Sequence, residues 1–224
     1  MELKGKRIAF LGDSITQGVG VADIENCRYD NVIHRRFGLA EHYNYGIGGT
    51  RLAHQSVPSD PPRYDLCFCG RAYFISPDAD VILVYGGVND YIHGDAFFGG
   101  MEDTTPETFC GGVYFLMNLL KNNYSGKTLV FVTPAHMCFM GVSDQCVSPR
   151  TMKKPDAKPL QAYVDAIKAR GEEFGIPVLD LLEKLPIDPN RDEDREKYTV
   201  DGLHFNNEGQ LVLAQVIGDF LASL

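Results

Sequence analysis

Ile8-Ala9-Phe10-Leu11-Gly12-Asp13-Ser14 is the stretch on which the fold turns. An apolar run broken by Gly-Asp-Ser reads as a strand covered on both faces, and such strands belong to parallel sheets. The same signature recurs at Val81 to Tyr85, Leu129 to Val132 and Val178 to Leu181, and more weakly at His42 to Tyr45 ahead of Gly46. Helical patterns lie between these runs. Thr105-Pro106-Glu107 offers an N-cap, a proline at the first helical position and an early acid, ahead of Phe109, Val113, Phe115, Leu116 and Leu120. Leu160, Val164, Ile167 and Phe174 mark the inner face of a second helix ended by Gly175, and Leu211, Ala214, Ile217 and Leu221 form the stripe of a third. Strands alternating with helices, without an internal repeat, predict a three-layer α/β/α fold with a doubly wound parallel sheet of about five strands and right-handed crossovers. Residues 1–224 are expected to form one domain.

Composition narrows the function classes. With 21 basic against 30 acidic residues the net charge is -9, so the protein as a whole repels phosphate backbones and anionic membrane surfaces. Neither nucleic acid nor membrane is an expected partner. The opening Met1 to Arg7 runs straight into the first apolar strand, which leaves no room for a secretory apolar region, and a cytoplasmic location is expected. No apolar stretch approaches the roughly 18 to 20 residues that span a bilayer. The six cysteines lack the Cys and His spacing of a zinc site, and Cys67-x-Cys69 has no second pair, so they read as reduced thiols without a role.

Two connections are long for a compact α/β domain. One runs from Asp90 to about Asp103 and carries Gly94, Gly99 and Gly100 among Tyr91, Phe97 and Phe98; the other runs from Pro134 to about Asp156. Both follow the C-terminal ends of strands, where open α/β sheets place their ligand crevice.

Ser14 at the end of the first strand has two structural readings, an N-cap turn or part of a phosphate cradle. The Walker pattern requires Gly-Lys-Ser/Thr and the dinucleotide fingerprint Gly-x-Gly-x-x-Gly directly after the strand, and neither is satisfied. Asp201-Gly202-Leu203-His204 changes the balance. Across a turn, the carboxylate of such a pair accepts from one imidazole nitrogen while the other nitrogen faces a hydroxyl. Acyl transfer also needs donors aimed at an oxyanion. Asn44-Tyr45-Gly46-Ile47-Gly48-Gly49 and Gly86-Gly87-Val88-Asn89-Asp90 both end strands, one in exposed backbone N–H groups and the other in a side-chain amide. Together these features point to a serine hydrolase.

Over essentially its full length the chain resembles the SGNH/GDSL hydrolase family, through Gly12-Asp13-Ser14, Asn44-x-Gly46-x-x-Gly49, Gly86-x-x-Asn89-Asp90 and Asp201-x-x-His204, in the family's order. The resemblance implies a flavodoxin-like SGNH hydrolase fold, with Ser14 as nucleophile, His204 as base and Asp201 as its orienting carboxylate. It implies an oxyanion hole of the Ser14 and Gly49 amides and the Asn89 side chain, with Gly48 the competing glycine. It implies no metal and no organic cofactor. Phe205 stands where many members have proline, and either borders the substrate pocket or packs. Asp13 is read as a turn-stabilising acceptor. Arg51, Tyr91, His93 and Asp95 are the remaining candidates for substrate contact, with a surface role as the alternative for Arg51, and Lys153-Lys154 reads as solvated charge. Their polar and aromatic character suits a short-acyl ester of a polar alcohol, such as an O-acetylated carbohydrate, while a lysophospholipase or thioesterase is the alternative within the family. From other classes, a flavin or nucleotide binder using Gly12 to Gly20 and a catalytically silent binding module on the same fold remain as rivals.

Overall fold

The computed structural model describes residues 1–148 and 156–224. Its strands are β1 (Arg7–Gly12), β2 (Glu41–Gly46), β3 (Val81–Tyr85), β4 (Thr128–Val132), a hairpin of β5 (Cys138–Phe139) and β6 (Val142–Ser143), and β7 (Val178–Leu179). Helices α1 (Ser14–Gln17), α2 (Ile24–Cys27) and α3 (Tyr29–Phe37) join β1 to β2, and α4 (Phe68–Arg71) precedes β3. Helices α5 (Val88–His93) and α6 (Phe109–Asn123) join β3 to β4; α7 (Leu160–Phe174) precedes β7, and α8 (Leu181–Lys184), α9 (Asp192–Tyr198) and α10 (Asn207–Ser223) follow it.

β1, β2, β3, β4 and β7 form one parallel sheet in the order β2-β1-β3-β4-β7. This is the doubly wound arrangement expected from the sequence, with its switch point between β1 and β3. The uniformly apolar strands follow from burial on both faces. Ala9, Leu11, Ile82, Val84 and Phe131 enter one core layer with Leu116 of α6 and Tyr163 of α7. The alternate residues Ile8, Phe10, Leu83 and Val130 enter the other with Ile33 of α3 and Ile217 of α10.

Three local expectations are corrected. The last sheet strand stops at Leu179, because Asp180 turns the chain into α8 by accepting from the Glu183 N–H at 3.3 Å. α6 is capped by Thr108, which accepts from the Gly111 N–H at 3.1 Å; Pro106 lies outside the helix, where its carbonyl accepts from the His54 N–H at 2.7 Å. On α10 Leu211 is 44% exposed, and the inner stripe runs through Gln210, Leu213, Ala214, Ile217 and Leu221. Gln210 sets that rotation: its side chain accepts from the Tyr29 N–H at 3.0 Å and donates to the Ile15 carbonyl at 3.2 Å.

Candidate active site

The turn after β1 is fixed by sterics and capping. Asp13 caps α1 by accepting from the Ile15 N–H at 3.0 Å. A Cβ on Gly12 would lie 1.9 Å from Thr16 Oγ1, and one on Gly46 would lie 2.2 Å from Gln17 N. Only glycines therefore let α1 lie directly on the ends of β1 and β2. Beneath it, the Arg71 guanidinium donates to the Tyr45 carbonyl at 2.5 Å, the Gly12 carbonyl at 3.0 Å and Thr50 Oγ1 at 2.8 Å, which ties the ends of β1 and β2 to the turn that follows β2. Burial lowers the pKa of that guanidinium to about 10, and the Asp13 carboxylate opposes the shift. The result is a Ser14 held at a buried elbow.

The Asp201 to His204 turn reaches this elbow from the other end of the chain. His204 Nε2 lies 2.9 Å from Ser14 Oγ, and His204 Nδ1 lies 2.7 Å from Asp201 Oδ2. Asp201 Oδ1 accepts from the backbone N–H groups of Leu203 at 3.0 Å and His204 at 2.8 Å. Burial opposes ionisation of Asp201, but the bonds from the His204 ring and these backbone groups outweigh it and hold the pKa below the usual carboxylate value. Gly202, at φ +84°, passes so close to the hairpin that a Cβ would meet the Cys138 carbonyl at 2.0 Å. The Cys138 N–H in turn donates to the Gly202 carbonyl at 2.9 Å, and the Phe139 ring stands edge-on to His204 with centroids 6.1 Å apart.

Gly48, Gly49 and Asn89 line the same cavity as Ser14. The Gly48 N–H is engaged by Gln17 Oε1 at 2.7 Å. Gly49, at φ +79°, lies against Tyr64, whose Cε1 would be 2.1 Å from a Cβ there. The Asn89 Nδ2 amide donates to the Thr50 carbonyl at 3.1 Å, with Asp13 Oδ2 at 3.3 Å. Asp90 accepts from the Leu52 and Ala53 N–H groups, both at 2.9 Å, and so ties the end of β3 to the chain that follows the glycine turn. Burial raises both Asp13 and Asp90 to about 6, despite the backbone N–H groups that favour their charged forms.

Ser14, Gly48, Gly49, Asn89, His93 and His204 border one open cavity of about 380 Å³. Gln17, Arg63 and Tyr64 complete its polar side, and Ile92, Phe139, Met140 and Leu203 its apolar side. A neighbouring pocket of about 240 Å³, lined by Met137 and Val142 among others, shares Ile92, Phe139 and Met140 with it. Gln17, Arg63 and Tyr64 carry no motif and were not reached from the sequence; the near-contact between Tyr64 and Gly49 becomes visible only once the fold brings the two turns together.

Several expected substrate contacts lie elsewhere. Arg51 is neither on the surface nor in the cavity: it is 5% exposed and donates to Ser59 Oγ at 2.7 Å and to His93 Nδ1 at 2.8 Å. Tyr91 is fully buried, with its hydroxyl donating to the Cys146 carbonyl at 2.7 Å, and it borders the smaller pocket and not the cavity at Ser14. Phe205 packs in the core layer of α3 and α10. Asp95 ties a loop by accepting from the N–H groups of Ser56 at 3.1 Å and Val57 at 2.6 Å. Lys153 and Lys154 lie outside the described residues. Among the described residues no group of three or more His, Cys, Asp or Glu side chains could hold a metal ion, and no helix is long and apolar enough to cross a membrane.

The chain and its fold have counterparts among known proteins. A model of the GDSL-like lipase/acylhydrolase family matches residues 10–212. A solved structure of a Lactobacillus plantarum protein is similar at 30% identity and a TM-score of 0.81, covering 98% of each chain. The aryl esterase of M. smegmatis shares the fold at 18% identity and a TM-score of 0.68, covering 98% of this chain and 99% of its own. No curated protein matches the chain.

Proposed function

This chain belongs to the GDSL-like lipase/acylhydrolase family and is an ester hydrolase, and on that premise we propose that it works through an acyl-enzyme on Ser14. The observation that carries the reading is the hydrogen-bonded chain from Ser14 through His204 to Asp201, assembled from residues 190 positions apart. Asp201 accepts from Nδ1–H and leaves the Nε2 lone pair of His204 facing the Ser14 hydroxyl. His204 removes the proton as Oγ attacks the ester carbonyl, then returns it to the departing alcohol; water repeats the sequence and releases the acid. The carbonyl oxygen, negative in the tetrahedral state, is received by the Ser14 and Gly49 amides and the Asn89 side chain. Engagement of the Gly48 N–H by Gln17 favours Gly49 over its neighbour.

For substrate, the polar side of the cavity at Gln17, Arg63 and Tyr64 supports a short-acyl ester of a polar alcohol, such as an O-acetylated carbohydrate. The adjoining apolar pocket favours a second reading, a longer acyl chain such as that of a lysophospholipid or thioester, running past Ile92, Phe139 and Met140. Ser14→Ala tests the mechanism: it is expected to keep the fold, lose labelling by a fluorophosphonate and fall about a thousandfold or more in turnover. Retained turnover transfers the nucleophile elsewhere. The kcat/KM series over p-nitrophenyl acetate, butyrate and octanoate separates the substrate readings, because each methylene seated in an apolar pocket contributes roughly 0.8 kcal/mol. An acetate optimum supports the first, and an octanoate optimum replaces it with the second.

A further inference from the structure

The Asn89 side chain can present either its oxygen or its nitrogen to a given direction, and for an oxyanion only the nitrogen is useful. Its orientation is set on one side by the Thr50 carbonyl and the Asp13 carboxylate, which accept from Nδ2, and on the other by a chain of groups leading away from Ser14. His93 Nε2 lies 2.9 Å from Asn89 Oδ1. The opposite ring nitrogen, Nδ1, lies 2.8 Å from a guanidinium nitrogen of Arg51, and a second contact from the same nitrogen reaches the His93 carbonyl at 3.1 Å. A guanidinium has donors and no acceptor, so His93 Nδ1 must accept and Nε2 must carry the proton. That proton requires an acceptor, which fixes Oδ1 as the atom of Asn89 facing His93 and leaves Nδ2 on the side of Thr50 and Asp13. Arg51 cannot readily swing away, being buried and also held by Ser59 and the Tyr64 carbonyl.

From this geometry we infer that His93 is a positioning residue for ester hydrolysis: with its tautomer set by Arg51, it holds the Asn89 amide with its oxygen turned to His93 and its nitrogen on the side of Thr50 and Asp13, beside the cavity that Ser14 borders. The inference rests on the proposed oxyanion role of Asn89. His93 borders the cavity, but both its ring nitrogens are engaged by protein, so its effect passes through Asn89 and not through contact with substrate.

The test is a set of steady-state measurements on His93→Leu, His93→Gln, Asn89→Ala and the Asn89→Ala/His93→Leu pair, with p-nitrophenyl acetate as substrate. His93→Leu is expected to lower kcat by about tenfold to a hundredfold with KM nearly unchanged, bounded by the loss in Asn89→Ala. Glutamine, whose amide nitrogen takes the place of Nε2–H, should restore most of that loss. In the Asn89→Ala background the His93→Leu change should cost nothing further, because its target is gone. In the wild-type protein, nitrogen NMR of the ring should give the Nε2–H tautomer. An unchanged kcat in His93→Leu, a defect confined to KM, full multiplication of the two losses, or an Nδ1–H tautomer each overturns the inference. If Asn89→Ala alone keeps wild-type kcat, the oxyanion assignment itself has failed, and the inference goes with it; that single variant distinguishes the two failures. Should His93→Leu fold poorly, the glutamine variant and the tautomer measurement decide the question.

Discussion

Replacing Asp201 by asparagine changes one atom and is expected to disable the base without disturbing the fold. Asp201 Oδ1 accepts two backbone N–H groups, from Leu203 at 3.0 Å and His204 at 2.8 Å, and the asparagine oxygen can keep both. The amide nitrogen then takes the place of Oδ2, 2.7 Å from His204 Nδ1, where it donates and forces Nδ1 to accept. The ring proton moves to Nε2 and points at Ser14 Oγ, 2.9 Å away, so the hydroxyl meets a donor in place of a base. Flipping the amide would rescue the tautomer but set its NH2 against both backbone donors. Two lost bonds at about 1 to 2 kcal/mol each disfavour the flip by about 2 to 4 kcal/mol, which limits the productive form to between about one part in 30 and one part in 1,000. Loss of the carboxylate charge beside the developing imidazolium adds to this, and kcat/KM should fall by about a thousandfold to ten-thousandfold. The assay is hydrolysis of p-nitrophenyl acetate by the variant, alongside nitrogen NMR of the His204 ring and a thermal melt. Turnover within about tenfold of wild type, or a ring still protonated at Nδ1, would refute the tautomer argument.

Two further outcomes concern stability. Asp13 is raised from 3.8 to about 6 in the fold, so the folded state binds its proton more tightly and ionisation is a penalty that is absent below pH 4, grows between pH 4 and 6 and is complete above pH 6, about 3 kcal/mol in all. The melting temperature of Asp13→Asn relative to wild type should therefore rise as pH is taken from 4 to 7; a difference that stays flat over that range contradicts the assigned cause, burial of the carboxylate. Tyr91→Phe removes the hydroxyl that reaches the Cys146 carbonyl, and should lower stability by about 1 to 2 kcal/mol in denaturant melts while leaving kcat/KM for p-nitrophenyl acetate intact. A selective loss of activity would return Tyr91 to the substrate.

The sheet was legible because Ile8 to Leu11 and Val81 to Tyr85 are apolar at every position, which only a strand buried on both faces requires. Ser14, Asn89 and His204 could be picked out as candidates because acyl transfer calls for those residue types at strand ends and turns, where motif spacing is short, and the fold brings all three to one cavity. What the sequence hides is contact between segments without local spacing. Arg51 and Tyr91 read as candidates for substrate contact, with a surface role as the alternative for Arg51, because nothing in the sequence shows that Ser59, Tyr64 and His93 surround the one and that the hydroxyl of the other reaches the chain at Cys146. Leu211 and Leu213 are equally apolar, and only the interior anchoring of Gln210 decides which of them turns inward.

That anchoring also joins the two ends of the chain that carry the proposed triad. Gln210 bridges the Tyr29 N–H and the Ile15 carbonyl, so the helix beginning at Asn207 and the elbow bearing Ser14 dock as one unit. During synthesis Ser14 leaves the ribosome roughly 190 residues ahead of His204, its partner in the proposed triad. A chain that has completed β1, β3 and β4 owns most of its sheet yet has no partner for Ser14. On the proposed mechanism, ester turnover therefore waits until the C-terminal turn bearing His204 has reached Ser14.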